Sequence, residues 1–276
     1  MIDKSMPSKT VGTVSATFIT KLQQRGKTIF SSAEAMEIYG KNRYATGDFL
    51  SELVKRGILA RVKAGVYLLL QAGSEDTQLT NWPVIARELT GKAPYFISHY
   101  SAMRIHGMTT HPLNNVFLTL IQRKHQKSLS GISYHFIYSK KEHFWGHAAY
   151  WATKQEQVRV SDPERTLLDG FDRPELCGGI TDVVRGIWAA QKKIDFKKLE
   201  RYAARYRTKA AVKRLGFVLE TLKIAPDLLP GLAQIIQRAG DYSALDPQGP
   251  KEGKHLKRWG IRLNLDPEEL KAGVWG

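Results

Sequence analysis

The chain has 276 residues, 42% of them hydrophobic, and a formal net charge of +16. It is longer than one average domain and too apolar for disorder. Its cationic excess favours a polyanionic partner, nucleic acid ahead of an anionic membrane surface, with simple solubility as the plainer alternative. No stretch approaches the ~20 apolar residues of a membrane span. The opening "MIDKSMPSKTVGTVSATF" lacks the apolar run of a secretory signal. The single cysteine, Cys177, is expected to be a small core residue in a reducing cytoplasm.

Three short helices are predicted first. In "SATFITKLQQRG", Ser15 reads as a cap, Phe18, Ile19 and Leu22 follow at helical spacing, and Gly26 is the stop. In "SSAEAMEIYG", Ser31 or Ser32 caps, Ala33, Met36 and Ile38 form the apolar side, and Gly40 ends the helix. "NRYATGDFLSELVKRG" predicts a helix over 43–56, capped by Asn42 and stopped by Gly57. On a helical wheel Ala45, Phe49, Leu50 and Leu53 cluster on one side, while Tyr44, Gly47, Ser51 and Lys55 cluster on the other.

A hairpin follows. Ile58, Ala60 and Val62 alternate with Leu59, Arg61 and Lys63, and "KAG" (63–65) is a compact turn. Three helices and then a hairpin is the order of a winged helix-turn-helix, in which the last helix enters the major groove and the hairpin lies along the backbone. In that arrangement Arg43, Tyr44, Gly47, Ser51 and Lys55 face a duplex, and Arg61 and Lys63 share one strand face within reach of phosphates. The alternative is a solvated hairpin whose cations only keep an edge soluble. Residues 1–72 hold 11 Lys+Arg against 5 Asp+Glu, which favours the first reading.

Residues 73–80 are polar, with a Gly-Ser pair, and read as a linker to a second domain over 81–276. "WPVIARELTG" is helical, and so is "HYSAMRIHG". "PYFIS", "NNVFLTLIQ", "GISYHFIYS", "AAYWAT" and "EQVRVS" read as strands. From Asp162 the pattern turns helical over 163–171, 181–191, 196–206, 209–223 and 226–238, before a last strand "GIRLNL" and a short "DPEEL" helix. The predicted fold class is therefore α+β: an N-terminal winged helix-turn-helix followed by a larger mixed α/β domain. Within "VSDPERTLLDGF", Ser161 and Glu164 match a capping box, and Arg165 and Asp169 are placed to pair across a turn.

Residues 185–223 hold 12 Lys+Arg against 3 Asp+Glu, with Tyr202 and Tyr206 interleaved. Arg201, Arg205, Arg207, Lys209 and Lys213 are candidates for a second nucleic-acid surface. The alternative is solvated helix faces over inward-packed Leu199, Tyr202, Ala203 and Tyr206. Signs of catalysis are weak. His143 and His147 in "HFWGH" lack the Glu of a zinc-protease helix and read as an aromatic strand or turn; no metal is assigned to them. "GSED" at 73–76 offers Gly-Ser and acids, as nucleotidyltransferases do, but with no strand to present them to Mg²⁺. No cofactor and no enzymatic activity are expected.

The stretches "ERTLLDGFDRPELCGG", "KRLGFVLETL" and "KRWGIRLN" resemble the antitoxin component of AbiE-type, type IV toxin–antitoxin systems. "LVKRGILARVKAGVYLL" is similar to that family's winged-helix segment, and "ISHYSAMRIHGM" to the start of its C-terminal domain. The resemblance implies a repressor that binds inverted repeats at its own promoter. It also implies a functional partner, a nucleotidyltransferase-like toxin, that is countered through the second domain without a stable complex. Carried over here, Arg43, Tyr44, Ser51 and Lys55 lie in the reading helix and Arg61 and Lys63 in the wing. Two rivals stand beside this: an RNA-binding or nucleotidyltransferase-like protein acting through the C-terminal domain, and a purely partner-binding antitoxin.

Overall fold

The computed structural model describes residues 12–70, 76–129, 131–237 and 240–275. The chain divides into two compact units, the first containing residues up to 91 together with 151–157, the second containing 92–150 and 158–276. The fold is α+β, with helices leading the smaller N-terminal part and a larger mixed α/β part behind it, as predicted.

In the first unit the order is α1 (Thr13–Gln24), β1 (Ile29–Ser31), α2 (Ser32–Tyr39), α3 (Arg43–Lys55), β2 (Leu59–Lys63), β3 (Val66–Leu69) and α4 (Asp76–Thr90). The predicted punctuation largely holds. Ser31 caps α2 in a reciprocal capping box with Glu34, and Gly40 closes it in the left-handed conformation. Asn42 caps α3 by accepting the Ala45 N–H at 3.0 Å. Ser15 is not a cap: α1 begins two residues earlier, after an extended Gly12, and Ser15 is buried in its first turns. Strand β1 had no sequence signal of its own. It exists because β3 offers it a partner edge, Ile29 opposite Leu68, giving an antiparallel sheet in the order β1-β3-β2. Phe18, Leu22, Phe30, Leu50, Leu53 and Leu59 make the core.

The strict alternation expected of β2 is broken. Leu59 and Val62 are both buried, because the register shifts between Arg61 and Lys63. Helix α4 packs on β2 and begins at Asp76, so it includes the later residues of the stretch read as a linker. The Gly73–Asp76 motif lies outside the described residues except for Asp76 itself.

The second unit holds β4 (Tyr95–Ile97), α5 (His99–His106), β5 (Asn115–Leu120), β6 (Lys127–Leu129), β7 (Ile132–Tyr138), β8 (His147–Trp151) and β9 (Gln157–Ser161), the last two running to its boundary with the first. The strands form a mixed sheet in the order β6-β7-β5-β4-β9-β8, with β5 parallel to β7 and β4 parallel to β9. There follow α6 (Pro163–Asp172), α7 (Ile180–Ala190), α8 (Phe196–Arg205), α9 (Lys209–Leu222), α10 (Leu229–Ile236), a small sheet of β10 (Ser243–Ala244), β11 (Lys254–Leu256) and β12 (Ile261–Leu263), and α11 (Pro267–Trp275).

Helix α6 is buried on every side from Glu164 to Phe171, with α5, α7, α8 and α9 packed around it. Its cap is Asp162, whose carboxylate accepts the Arg165 N–H at 2.9 Å, and not Ser161. Pro163 fixes the first helical position, so the residue before it must be the cap. Glu164 is thereby released to accept the Asp195 N–H and to pair with Lys198 at 2.8 Å. Cys177 is fully buried beside Gly170, as expected, and burial pushes its thiol well above the ordinary value, with Asp169 adding to the shift. Gly216 of α9 lies against the ring of Trp259, a residue only 1% exposed.

Candidate nucleic-acid interface

Helix α3 turns Thr46, Leu50 and Leu53 into the core, with Ala45 and Phe49 half-buried. Phe49 stacks on Tyr39 at 4.2 Å between centroids, which fixes the rotation of α3 against α2. With that face anchored, the opposite stripe is forced outward. Tyr44 is 85% exposed, and Arg43, Ser51 and Lys55 are exposed as well. Gly47, in the middle, has open space where a side chain would stand. The Ser51 hydroxyl donates to the Gly47 carbonyl at 2.8 Å and keeps its lone pairs for an outside donor. Tyr44 thus offers an open aromatic face next to Arg43, on a helix whose two cations, Arg43 and Lys55, are matched in number by Asp48 and Glu52.

The hairpin separates its two cations. Arg61 is exposed and has no ion-pair partner among the described residues, and the same holds for Arg43, Lys55 and Lys41. Lys63, expected to share a phosphate-facing side with Arg61, is instead half-buried against α4, its ammonium bonded to the carboxylate of Glu88 at 3.0 Å and to the Glu88 carbonyl. The register shift after Arg61 and the packing of α4 on β2 together pull Lys63 aside. The turn itself is held from behind, since the Gly65 carbonyl accepts the N–H of Ser32 at 2.8 Å. Lys41 escaped the sequence reading; its signal was a cation directly before the Asn42 cap, at the α2–α3 turn.

Residues 18–70, which span these helices and the hairpin, match the family described as "Transcriptional regulator, AbiEi antitoxin". The similarity covers this segment and not the rest of the chain. The match bears out the resemblance read from "LVKRGILARVKAGVYLL". In three dimensions the chain is similar to the crystal structure of the RV2827C protein from Mycobacterium tuberculosis, with a TM-score of 0.68 over 99% of this chain and 98% of that one, at 14% identity. An identity that low carries the fold alone. Comparison with curated proteins finds no match.

Outside the matched segment, the basic helices are less free than their composition suggests. Arg201 and Arg205 are exposed on α8, Arg205 lying 4.5 Å from the ring centre of Trp145. Arg207 is bound to Asp172 at 2.6 Å, and Lys209 is half-buried. Lys213 is only 1% exposed and its ammonium is spent on the carbonyl and carboxylate of Asp241, so it belongs to the packing of α9 and not to an open surface. Neighbouring Arg214 is likewise interior, donating to the carbonyls of Phe171 and Ala244 at 2.7 and 2.9 Å. Leu199, Ala203 and Tyr206 pack inward as the alternative reading had it, with Tyr202 half-buried.

The Arg165–Asp169 pair forms at 2.8 Å with both side chains 5% exposed. The Arg165 guanidinium also donates to the carbonyls of His143 and Trp145 and lies 4.6 Å from the Trp145 ring centre, while Tyr206 donates its hydroxyl to Asp169 at 2.7 Å. Burial disfavours the cation, but Asp169 beside it outweighs that and holds Arg165 above its ordinary value. This is an internal clamp tying the segment before β8 to α6. At the start of β8 His147 accepts from Arg159 at 3.0 Å through Nδ1, and among the described residues no trio of His, Cys, Asp or Glu is placed to hold a metal ion.

Proposed function

We propose that the protein is a DNA-binding transcriptional repressor and the antitoxin of a type IV, AbiE-like toxin–antitoxin system. Its N-terminal segment acts as a winged helix-turn-helix, with α3 in the major groove and β2–β3 as the wing along the backbone. It occupies repeats in its own promoter in the cytoplasm and makes or breaks no bond. It counters a nucleotidyltransferase-like toxin without forming a stable complex. The observation that carries the reading is the outward stripe of Arg43, Tyr44, Gly47, Ser51 and Lys55 on α3, with exposed Arg61 on the adjoining hairpin. Gel-shift titration on the promoter upstream of its own gene and on scrambled DNA of equal length tests it. The promoter is expected to bind tighter by at least ~10³-fold at physiological salt, and equal binding to both would sink the repressor reading.

A further inference from the structure

The second unit contains an open cavity of about 560 Å³ at the ends of β5 and β7. These strands are adjacent and parallel, Leu118 opposite Phe136 and Leu120 opposite Tyr138, so both deliver their following residues to one edge of the sheet. The chain leaving β5 is "QRKHQK" (122–127), exposed along its length. Its Arg123 stands 5.6 Å from the ring centre of Tyr138, and Lys124 stands 5.3 Å from that of Phe136. Phe136 and Tyr138 are two apart on β7 and share a face, and Tyr138 is 47% exposed. Arg173, at the end of α6, brings a third cation into the lining, one edge of its guanidinium held by Glu175 at 2.8 Å.

A loop needs cations for solubility, but it does not need them poised over two aromatic faces in a cavity. That pairing suits a ligand joining a flat ring to a negative charge. We propose that this cavity binds a nucleotide unit of single-stranded nucleic acid, its base against Tyr138 and its phosphate among Arg123, Lys124 and Arg173. A paired duplex does not fit the description, because its base faces are already stacked on one another and only an unpaired base offers a face. The site shares no residue with the α3–hairpin surface and stands independently of the function proposed for it.

The test uses the full chain and a fluorescently labelled oligouridylate of about ten nucleotides, read by anisotropy. Tyr138→Ala is expected to weaken binding about tenfold, and Tyr138→Phe to restore most of it. Arg123→Ala combined with Lys124→Ala weakens it further and flattens its salt dependence. Both positions are exposed, and thermal melting of each variant confirms that the fold survives. Arg61→Ala, titrated in parallel, is expected to lower duplex binding and leave oligouridylate binding intact, so the two sites fail separately. Displacement by UMP assigns the nucleotide unit to a free nucleotide, and displacement only by oligomers assigns it to a strand; either supports the site. The proposal is overturned if the oligouridylate does not bind, if Tyr138→Ala binds it like the wild type, or if inorganic polyphosphate displaces it equally well from both, since charge alone would then hold it.

Discussion

Lys63 and Glu88 form an ion pair at 3.0 Å, while Arg61, two residues before Lys63, is exposed. Two cations that look equivalent in the sequence therefore have different work. Arg61→Ala is expected to lower affinity for every duplex alike and to reduce the slope of log affinity against log salt by about 1. Lys63→Ala is expected to leave that slope unchanged and cost stability instead, no more than about 1 kcal/mol because the pair is a quarter to a third exposed. Salt-dependent gel shifts and thermal melts of the two variants check this; an equal loss of slope in both would mean that Lys63 leaves Glu88 for a phosphate.

Tyr44 contributes nothing to the core, being 85% exposed at the start of α3. Tyr44→Ala is expected to change stability by less than about 0.5 kcal/mol. It is expected to alter which base is preferred at one position of the site, where an arginine that touches only phosphate would weaken all sequences together. Selection from a randomised promoter, comparing wild type and variant, measures the difference.

The Arg165–Asp169 pair is inside the second unit, so removing one partner leaves a buried charge unmatched. Asp169→Ala is expected to cost roughly 3–5 kcal/mol in urea denaturation, while Arg165→Met combined with Asp169→Leu is expected to cost less than that single change. If the double variant is the worse of the two, the guanidinium's bonds to the His143 and Trp145 carbonyls, and not its charge balance, hold the region together.

His99 is 4% exposed and sits at φ 52°, in the left-handed region that residues other than glycine seldom enter, histidine and asparagine more readily than most. Burial lowers its pKa to about 4 from 6.5; Asp169 and Asp172 act the other way, while Arg173 and Arg165 reinforce the lowering. The unfolded chain therefore binds a proton between pH 6.5 and 4 that the folded chain refuses. Its contribution to stability is whole above pH 6.5 and is lost as pH falls toward 4, by roughly 3 kcal/mol in total. His99→Asn, whose side chain tolerates the same backbone, is expected to flatten the melting temperature over that window relative to wild type.

Gly216 leaves no room for a methyl group, because a Cβ there would overlap the ring of Trp259, whose indole N–H is committed to Glu220 at 2.6 Å. Gly216→Ala is expected to destabilise by about 1–3 kcal/mol, and Trp259→Leu in the same chain to recover part of the loss. Calorimetric melts of the single and double variants read this directly.

The order of elements was legible because periodicity and punctuation agreed. Gly40, Asn42 and Gly57 bracket helices that turn Leu50 and Leu53 inward whatever follows, and five helices after Asp162 fall close to their predicted spans. Strand β1 was invisible because three residues carry no period and depend on β3 for their bonds. The cap of α6 was misassigned because Ser161 and Asp162 both qualify by type, and only the proline after Asp162 decides between them. Charge was the poorest guide. Composition counts Lys63, Lys213 and Arg214 like any surface cation, yet each is bound to a protein oxygen brought near by a distant segment, at Glu88, Asp241 and Ala244 respectively. The pocket residues Arg123 and Tyr138 escaped notice for the converse reason: 15 positions apart, they meet only because β5 and β7 run side by side.

With Cys177 shut away next to Gly170, the native chain presents a silent background to maleimide reagents. Tyr44→Cys would then take up a single DNA-cleaving tag at one known point, and cuts in promoter DNA, or their absence, would tell whether that helix enters a groove and at which turn.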